Sequence, residues 1–354
     1  MYSMSQSSYI GYVGTYTKGE SDGIYSFTLD KEQATIKNVK LAATIDNPTY
    51  LTISEDNQSL YSVVKEGESG GVAAFSLKSA TGELQKLNQQ VLEGAPPCHV
   101  SVGIANRNVF SANYHKGTVE SYLVSEDGTI NLPSSIVYHH GSGPDERQEK
   151  PHTHYAAFTP DEKYVVAVDL GTDQVISYSL NEGNLVEKSI FTVKPGSGPR
   201  HLVFHPLNQS LAYLMTEFSS EVVVLKYHSE DGHFTEIQTI STLPTDFTEN
   251  NQGSAIHLSS DGRFVYAANR GHDSIAVFSV NADNGTLTFI EHTSTYGNWP
   301  RDFVLDPSED FLVATNQNSS NLVLYSRNKE TGLLTMLQSD VKVPDPVCVK
   351  FIKI

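Results

Sequence analysis

The sequence predicts an all-β chain folded as a seven-bladed β-propeller. Three observations carry this: a repeat of about 50 residues, four strand-like runs in each repeat, and two chain ends that together make one more repeat.

Proline punctuates the repeat. Pro48, Pro97, Pro151, Pro199, Pro300 and Pro346 each precede a short strand-like run, and Gly253-Ser254 fills the one long gap. Proline cannot donate to a ladder, so it fits the first position of a strand. Each unit opens with a run such as YAAFTPDEK, LVFHPLNQS or IHLSSDGR. A second run, such as YVVAVDL, LAYLMTE or FVYAANR, ends on a polar residue. A third alternates, as in QVISYSL, EVVVLKY and SIAVFSV. A glycine turn such as SEDGTI or NADNGTL leads to the fourth. The 18 Tyr and 15 Phe suit strands. No long stretch has helical periodicity.

The ends close the ring. Six complete units run from Pro48 to Pro346, numbered here as blades one to six. The remainder is VCVKFIKI, a first strand alone, and YIGYVGTY, GIYSFTLD and IKNVKLAAT, which are strands two to four. Together they make a composite seventh blade, whose pairing hides sheet edges. Two stacked β-sandwiches, the competing architecture, leave no such remainder. Residues 1–354 are expected to form a single domain.

Charge narrows the function. The 24 Lys and Arg against 41 Asp and Glu give a net charge of −17. Without a basic run, such a chain is not expected to bind nucleic acid or an anionic membrane. An anionic ligand must be met by a few local Arg or His side chains. The two cysteines, Cys98 and Cys348, make no disulfide framework and are expected as packed free thiols. The N-terminus lacks a signal-peptide pattern and no apolar run approaches membrane-spanning length, so a cytoplasmic protein is expected.

Aligning the units gives two informative slots. The first, at the start of strand one, reads Thr49-Tyr50, Cys98-His99, His154-Tyr155, Arg200-His201, Ser254-Ala255, Arg301-Asp302 and Val347-Cys348. The second, at the end of strand two, reads Thr15-Tyr16, Val64-Lys65, Asn113-Tyr114, Asp169-Leu170, Thr216-Glu217, Asn269-Arg270 and Asn316-Gln317. Strand one lines the channel, and strand two returns antiparallel to the same face. The slots therefore converge on one mouth. The expected cluster is His99, His152, His154, Arg200, His201, Glu217, His257, Asn269, Arg270 and Arg301. Such a mouth suits a phosphate or carboxylate gripped by Arg. Asp169 and Asp302 are too few for a calcium cage, so no metal or cofactor is expected. His205 reads as a satisfied core histidine. After His139-His140, GSGPDERQEK reads as an exposed loop over the mouth, either a lid or an insertion.

At these residues the sequence resembles the propeller-type 6-phosphogluconolactonases, whose relatives include the fungal carboxy-muconate cyclases. The resemblance covers nearly the whole chain, through YIGYVGTYT, NPTYL, PPCHV, KPHTHYAAFTPD, GPRHLVFHP, LMTEFSSEVVV, SAIHLSSDGRFVYAANRGHDSIAVF, GNWPRDFVLDP and PDPVCVKF. It implies hydrolysis of 6-phosphoglucono-1,5-lactone to 6-phosphogluconate, in the pentose phosphate pathway. It also implies that His154, Arg200, His201, Glu217, Arg270 and Arg301 lie at the channel mouth.

Lactone opening needs an activated water, a stabiliser for the oxyanion and a grip on the phosphate. Glu217, the only carboxylate among the strongest candidates, is the expected general base. His154 and His201 would meet the oxyanion or protonate the leaving oxygen. Arg200, Arg270 and Arg301 would hold the phosphate, with His99, His152, His257 and Asn269 as further substrate contacts. Alternatively, Glu217 and Arg270 form only an interblade ion pair. Two other function classes stay open: a cyclase-type lyase or isomerase on an anionic substrate, and a non-catalytic protein-binding scaffold. A monomer or weak homodimer is expected.

Overall fold

The computed structural model describes residues 7–353. They form seven four-stranded antiparallel sheets and one short 3-10 turn, Glu146–Gln148. The inner strands of blades one to seven are Leu51–Ile53, His99–Val102, Thr153–Phe158, Pro199–Phe204, Gln252–Leu258, Pro300–Leu305 and Pro346–Phe351. Each packs against the next, and the last against the first, so the ring is closed. No helix among the described residues is long and apolar enough to cross a membrane.

The seventh blade is the composite expected from the chain ends. Pro346–Phe351 pairs antiparallel with Ser8–Thr15, placing Val349 opposite Val13 and Phe351 opposite Gly11. Gly23–Asp30 and Thr35–Thr44 complete it. Gly11 has a packing reason, since a Cβ there would lie 2.2 Å from the Phe27 ring.

Seven hydrophobic clusters fill the spaces between neighbouring blades. The second strands explain how. In Leu211–Thr216, Ala212 and Leu214 pack toward blade three, while Tyr213 and Met215 pack toward blade five. Side chains alternate across a strand, so one covered on both faces reads as a continuous apolar run. Tyr12, Tyr213 and Tyr266 also donate their hydroxyls to Gly82, Gly285 and Gly332 in the outer turn of the next blade, at 2.7 to 2.9 Å. Burying these phenols would be costly without that acceptor.

The inner strands carry the feature that builds the mouth. Thr153 faces Asp169 and Tyr155 faces Val168, so His154 is an extra residue with no partner of its own. The same irregularity leaves Arg200 between Pro199 and His201, Arg301 between Pro300 and Asp302, and Val347 between Pro346 and Cys348. A β-bulge bends its strand and re-aims a side chain. In blades three, four, six and seven the first residue of the first sequence slot is this bulge.

Candidate active site

A cavity of about 640 Å³ opens at one mouth of the channel. Of the ten residues expected there, His154, Glu217, Arg270 and Arg301 line it. Glu217 follows blade four's second strand and is buried among cations. Its Oε1 accepts from Arg147 Nη2 at 2.7 Å, and its Oε2 lies 3.0 Å from Arg270 Nη2 and 3.4 Å from Arg200 Nε. Burial alone would raise its pKa. Arg270, Arg200, His154 and Arg147 outweigh that and hold it well below the usual carboxylate range.

The three expected phosphate arginines differ in what they have left to offer. Arg270 spends Nε on the Gln252 carbonyl and Nη2 on that of Gly253. Burial lowers its pKa to about 9 despite Glu217. Arg200 is buried behind Glu217 and does not line the cavity. Arg301 makes one long hydrogen bond, from Nη1 to Gln317 at 3.4 Å, and faces the cavity beside the Tyr16 ring.

His154 is the imidazole of the cavity wall. Burial first, then the charge of Arg200, holds its pKa well below the ordinary value, so the ring is neutral at pH 7. Its Nδ1 has no hydrogen-bond partner among the described residues. The second residue of each first-slot pair lies one step further down the channel. His99 and His201 therefore join Tyr50 and Tyr155 in an aromatic layer under the cavity, with His99 centred 4.5 Å from Tyr50, 4.7 Å from Tyr155 and 5.4 Å from His201. His257 is deeper still, 3.5 Å from Asp302.

His152 and Asn269 serve the walls rather than the cavity. His152 stacks on Tyr114 at 4.2 Å, with Nδ1 2.7 Å from the Tyr114 carbonyl. Asn269 Nδ2 donates to the Thr242 carbonyl at 2.8 Å. His205 is satisfied by Gly262, Leu207 and Asn208, as expected, but it lies half-buried at an exposed turn rather than in the core. Cys98 and Cys348 are both free thiols, and burial pushes each up to about 12, so neither is a thiolate at neutral pH.

The structure adds residues that the repeat did not single out. Arg147 comes from the loop that sequence marked as exposed. The loop is anchored: Asp145 caps its 3-10 turn, and buried Gln148 donates to Leu170 and Asp173 at 2.8 Å. This fixes Arg147 over the Phe218 ring and onto Glu217. An inserted loop has no counterpart in other blades, so alignment of the units could not find it. Tyr16, Lys65 and Tyr114 also line the cavity and do occupy the second slot. Trp299 joins them with a backbone φ of 68°. That conformation costs a bulky side chain of order 1–3 kcal/mol.

Lys65, Arg147, Arg270 and Arg301 line the cavity with Glu68 and Glu217, and Arg200 stands behind, so cations prevail in a protein of net charge −17. A closed ring of blades with a polar, cationic cavity at one mouth is the architecture of a small-molecule-binding propeller. Residues 10–351 match the family described as "Lactonase, 7-bladed beta-propeller", and the chain belongs to that family of lactone hydrolases. It is 57% identical over 344 residues to the 6-phosphogluconolactonase of Bacillus subtilis, spanning 97% of this chain and 98% of the relative. A putative 6-phosphogluconolactonase from Bacteroides fragilis superposes with a TM-score of 0.91 at 37% identity, over 99% of both chains. The periplasmic gluconolactonase of Pseudomonas aeruginosa superposes with a TM-score of 0.93 at 32% identity, over 98% of this chain and 99% of that one.

Proposed function

We propose that this chain hydrolyses 6-phosphoglucono-1,5-lactone to 6-phosphogluconate in the cavity at the channel mouth, within the pentose phosphate pathway of the cytoplasm. The observation that carries this reading is a neutral, cavity-facing imidazole, His154, set among cations with donors to spare. The 6-phosphogluconolactonase named among its relatives supports the choice of lactone.

In this reading Arg301 and Lys65, on the blade-six and blade-one side, take the phosphate. The lactone carbonyl then faces His154. Water attacks C1 as His154 removes its proton, and the nearby guanidinium charges stabilise the oxyanion. The C1–O5 bond breaks and the imidazolium returns the proton to O5, leaving a hydroxyl. The new acid ionises and its proton goes to solvent. Glu217 has a different part from the one expected of it. Both oxygens of its carboxylate are engaged by guanidinium groups, leaving neither free to take a proton from water, so Glu217 holds Arg147, Arg200 and Arg270 in place.

The test is an assay with freshly made lactone, corrected for spontaneous hydrolysis. His154→Asn is expected to lower kcat about 100-fold or more while KM changes little. An unchanged kcat removes His154 from the chemistry. No acceleration by the wild-type protein removes the reaction.

A further inference from the structure

Trp299 stands where the fold asks for a different kind of residue. The residue before the proline that opens or shortly precedes an inner strand adopts a left-handed conformation in four blades. In blades one, four and seven it is Asn47, Gly198 and Asp345, with φ of 46°, 63° and 45°. These are the residue types that tolerate positive φ, through a missing or short polar side chain. Blade six places a tryptophan there, with φ of 68°. The turn explains the conformation; it does not explain the indole.

Two contacts hold the strained residue in place. Its backbone N–H donates to Asp273 Oδ1 at 2.9 Å, and the Arg270 guanidinium lies 5.6 Å from the ring centre. The indole is only partly buried and lines the cavity. An aromatic face beside hydrogen-bonding cations suits a sugar ring, whose C–H groups pack on the face while its hydroxyls reach polar partners. Strain is retained at functional sites where the surroundings enforce it.

We propose that Trp299 is a stacking platform for the pyranose ring of the substrate, and so a determinant of ring over open-chain ligands. This rests on the sugar-lactone reading above. An intact ring covers the indole, whereas the opened acid no longer presents a flat face. The platform therefore favours the lactone and weakens its hold once C1–O5 has broken.

The chain has a single Trp, so its fluorescence reports this position alone. Glucose 6-phosphate serves as an unreactive pyranose and glucitol 6-phosphate as its open-chain counterpart, with calorimetry giving the affinity of each. Saturating pyranose is expected to change the wild-type emission clearly, and the open-chain ligand to change it much less. Trp299→Asn restores a residue suited to the turn. It should melt no lower than wild type, yet bind the pyranose about tenfold to thirtyfold more weakly and raise the lactone KM similarly. Undiminished pyranose affinity in Trp299→Asn, or wild-type fluorescence that ignores a ligand shown by calorimetry to bind, overturns the platform. Were the variant to melt lower, the wild-type fluorescence decides alone. Fluorescence response without lactone turnover would retire the reaction and keep the platform. Turnover with silent fluorescence would do the reverse.

Discussion

Glu217 and His154 share a wall of the cavity and divide its proton chemistry through their charge states. Glu217 favours the imidazolium of His154, while burial and Arg200 oppose it more strongly. In the proposed mechanism the neutral ring is the base, so the rate should be level through neutral pH. It should fall only in acid, well below 6.5, as His154 gains a proton. Glu217→Gln removes the anion that favours that proton, so the acid limb moves lower still. A base role for Glu217 would instead abolish the limb and nearly all activity. The same substitution leaves buried arginines uncompensated, and a loss of about 3–5 kcal/mol is expected by urea denaturation. Arg147→Ala touches the same carboxylate from a half-exposed position. It should cost under about 1 kcal/mol in stability. Both variants are read by pH–rate profiles beside denaturation curves. At this scale the sequence marked His154, Glu217, Arg270 and Arg301 by slot, because the start of strand one and the end of strand two recur at fixed places in each repeat. It could not assign their protonation states, which depend on side chains from other blades.

The inner strand is the element that positions the site, and in blade seven it also closes the molecule. Phe351 packs edge-on to Phe27 with ring centres 5.4 Å apart, inside the cluster shared with blade six. Phe351→Ala should lower stability by about 3 kcal/mol. Removing residues 346–354 exposes the edge of Ser8–Thr15, and loss of the folded monomer to aggregates is expected. Thermal melts and size-exclusion chromatography read both; a truncated chain that melts like wild type would deny the closure its role. The loop over Glu146–Gln148 contrasts with the strands. Its polar sequence reads as exposed, yet Asp145 and Gln148 pin it down and it delivers Arg147. Hydrogen bonds to the Leu170 carbonyl and to Asp173 hold it, and neither partner is near in sequence.

Across the whole molecule, the ring concentrates neutral imidazoles in its channel. His99 is held down to about 3, by burial first and then by Lys350 and Arg200, and His201 lies well below its ordinary value for similar reasons. These rings, with His154, stay neutral in the folded state, but in the unfolded chain they take protons at about 6.5. The unfolded state then binds more protons, so stability is full above that value and falls as pH drops toward 3. Each histidine contributes up to about 1.4 kcal/mol per pH unit. Urea midpoints between pH 7.5 and 5 should fall, in a window where carboxylates barely titrate, and His99→Phe should flatten the fall. Equal slopes for the variant and the wild type would deny His99 its share.

Blade number, blade order and the composite closure were determined by the sequence itself. They rest on local periodicity: proline before strand one, alternation along strand three, glycine in the turn, and a remainder that fits at the two ends. The mouth as a place was determined with them, because antiparallel strands return equivalent positions to one face. Which side chains meet the cavity was decided by the tertiary structure. Bulges turn His154 and Arg301 inward, the next residue along sends His99 and His201 a layer deeper, and an inserted loop brings Arg147 back to Glu217. Charge states and side-chain directions arise from neighbours on different blades, and a repeat read along one chain carries no record of which blades will face each other.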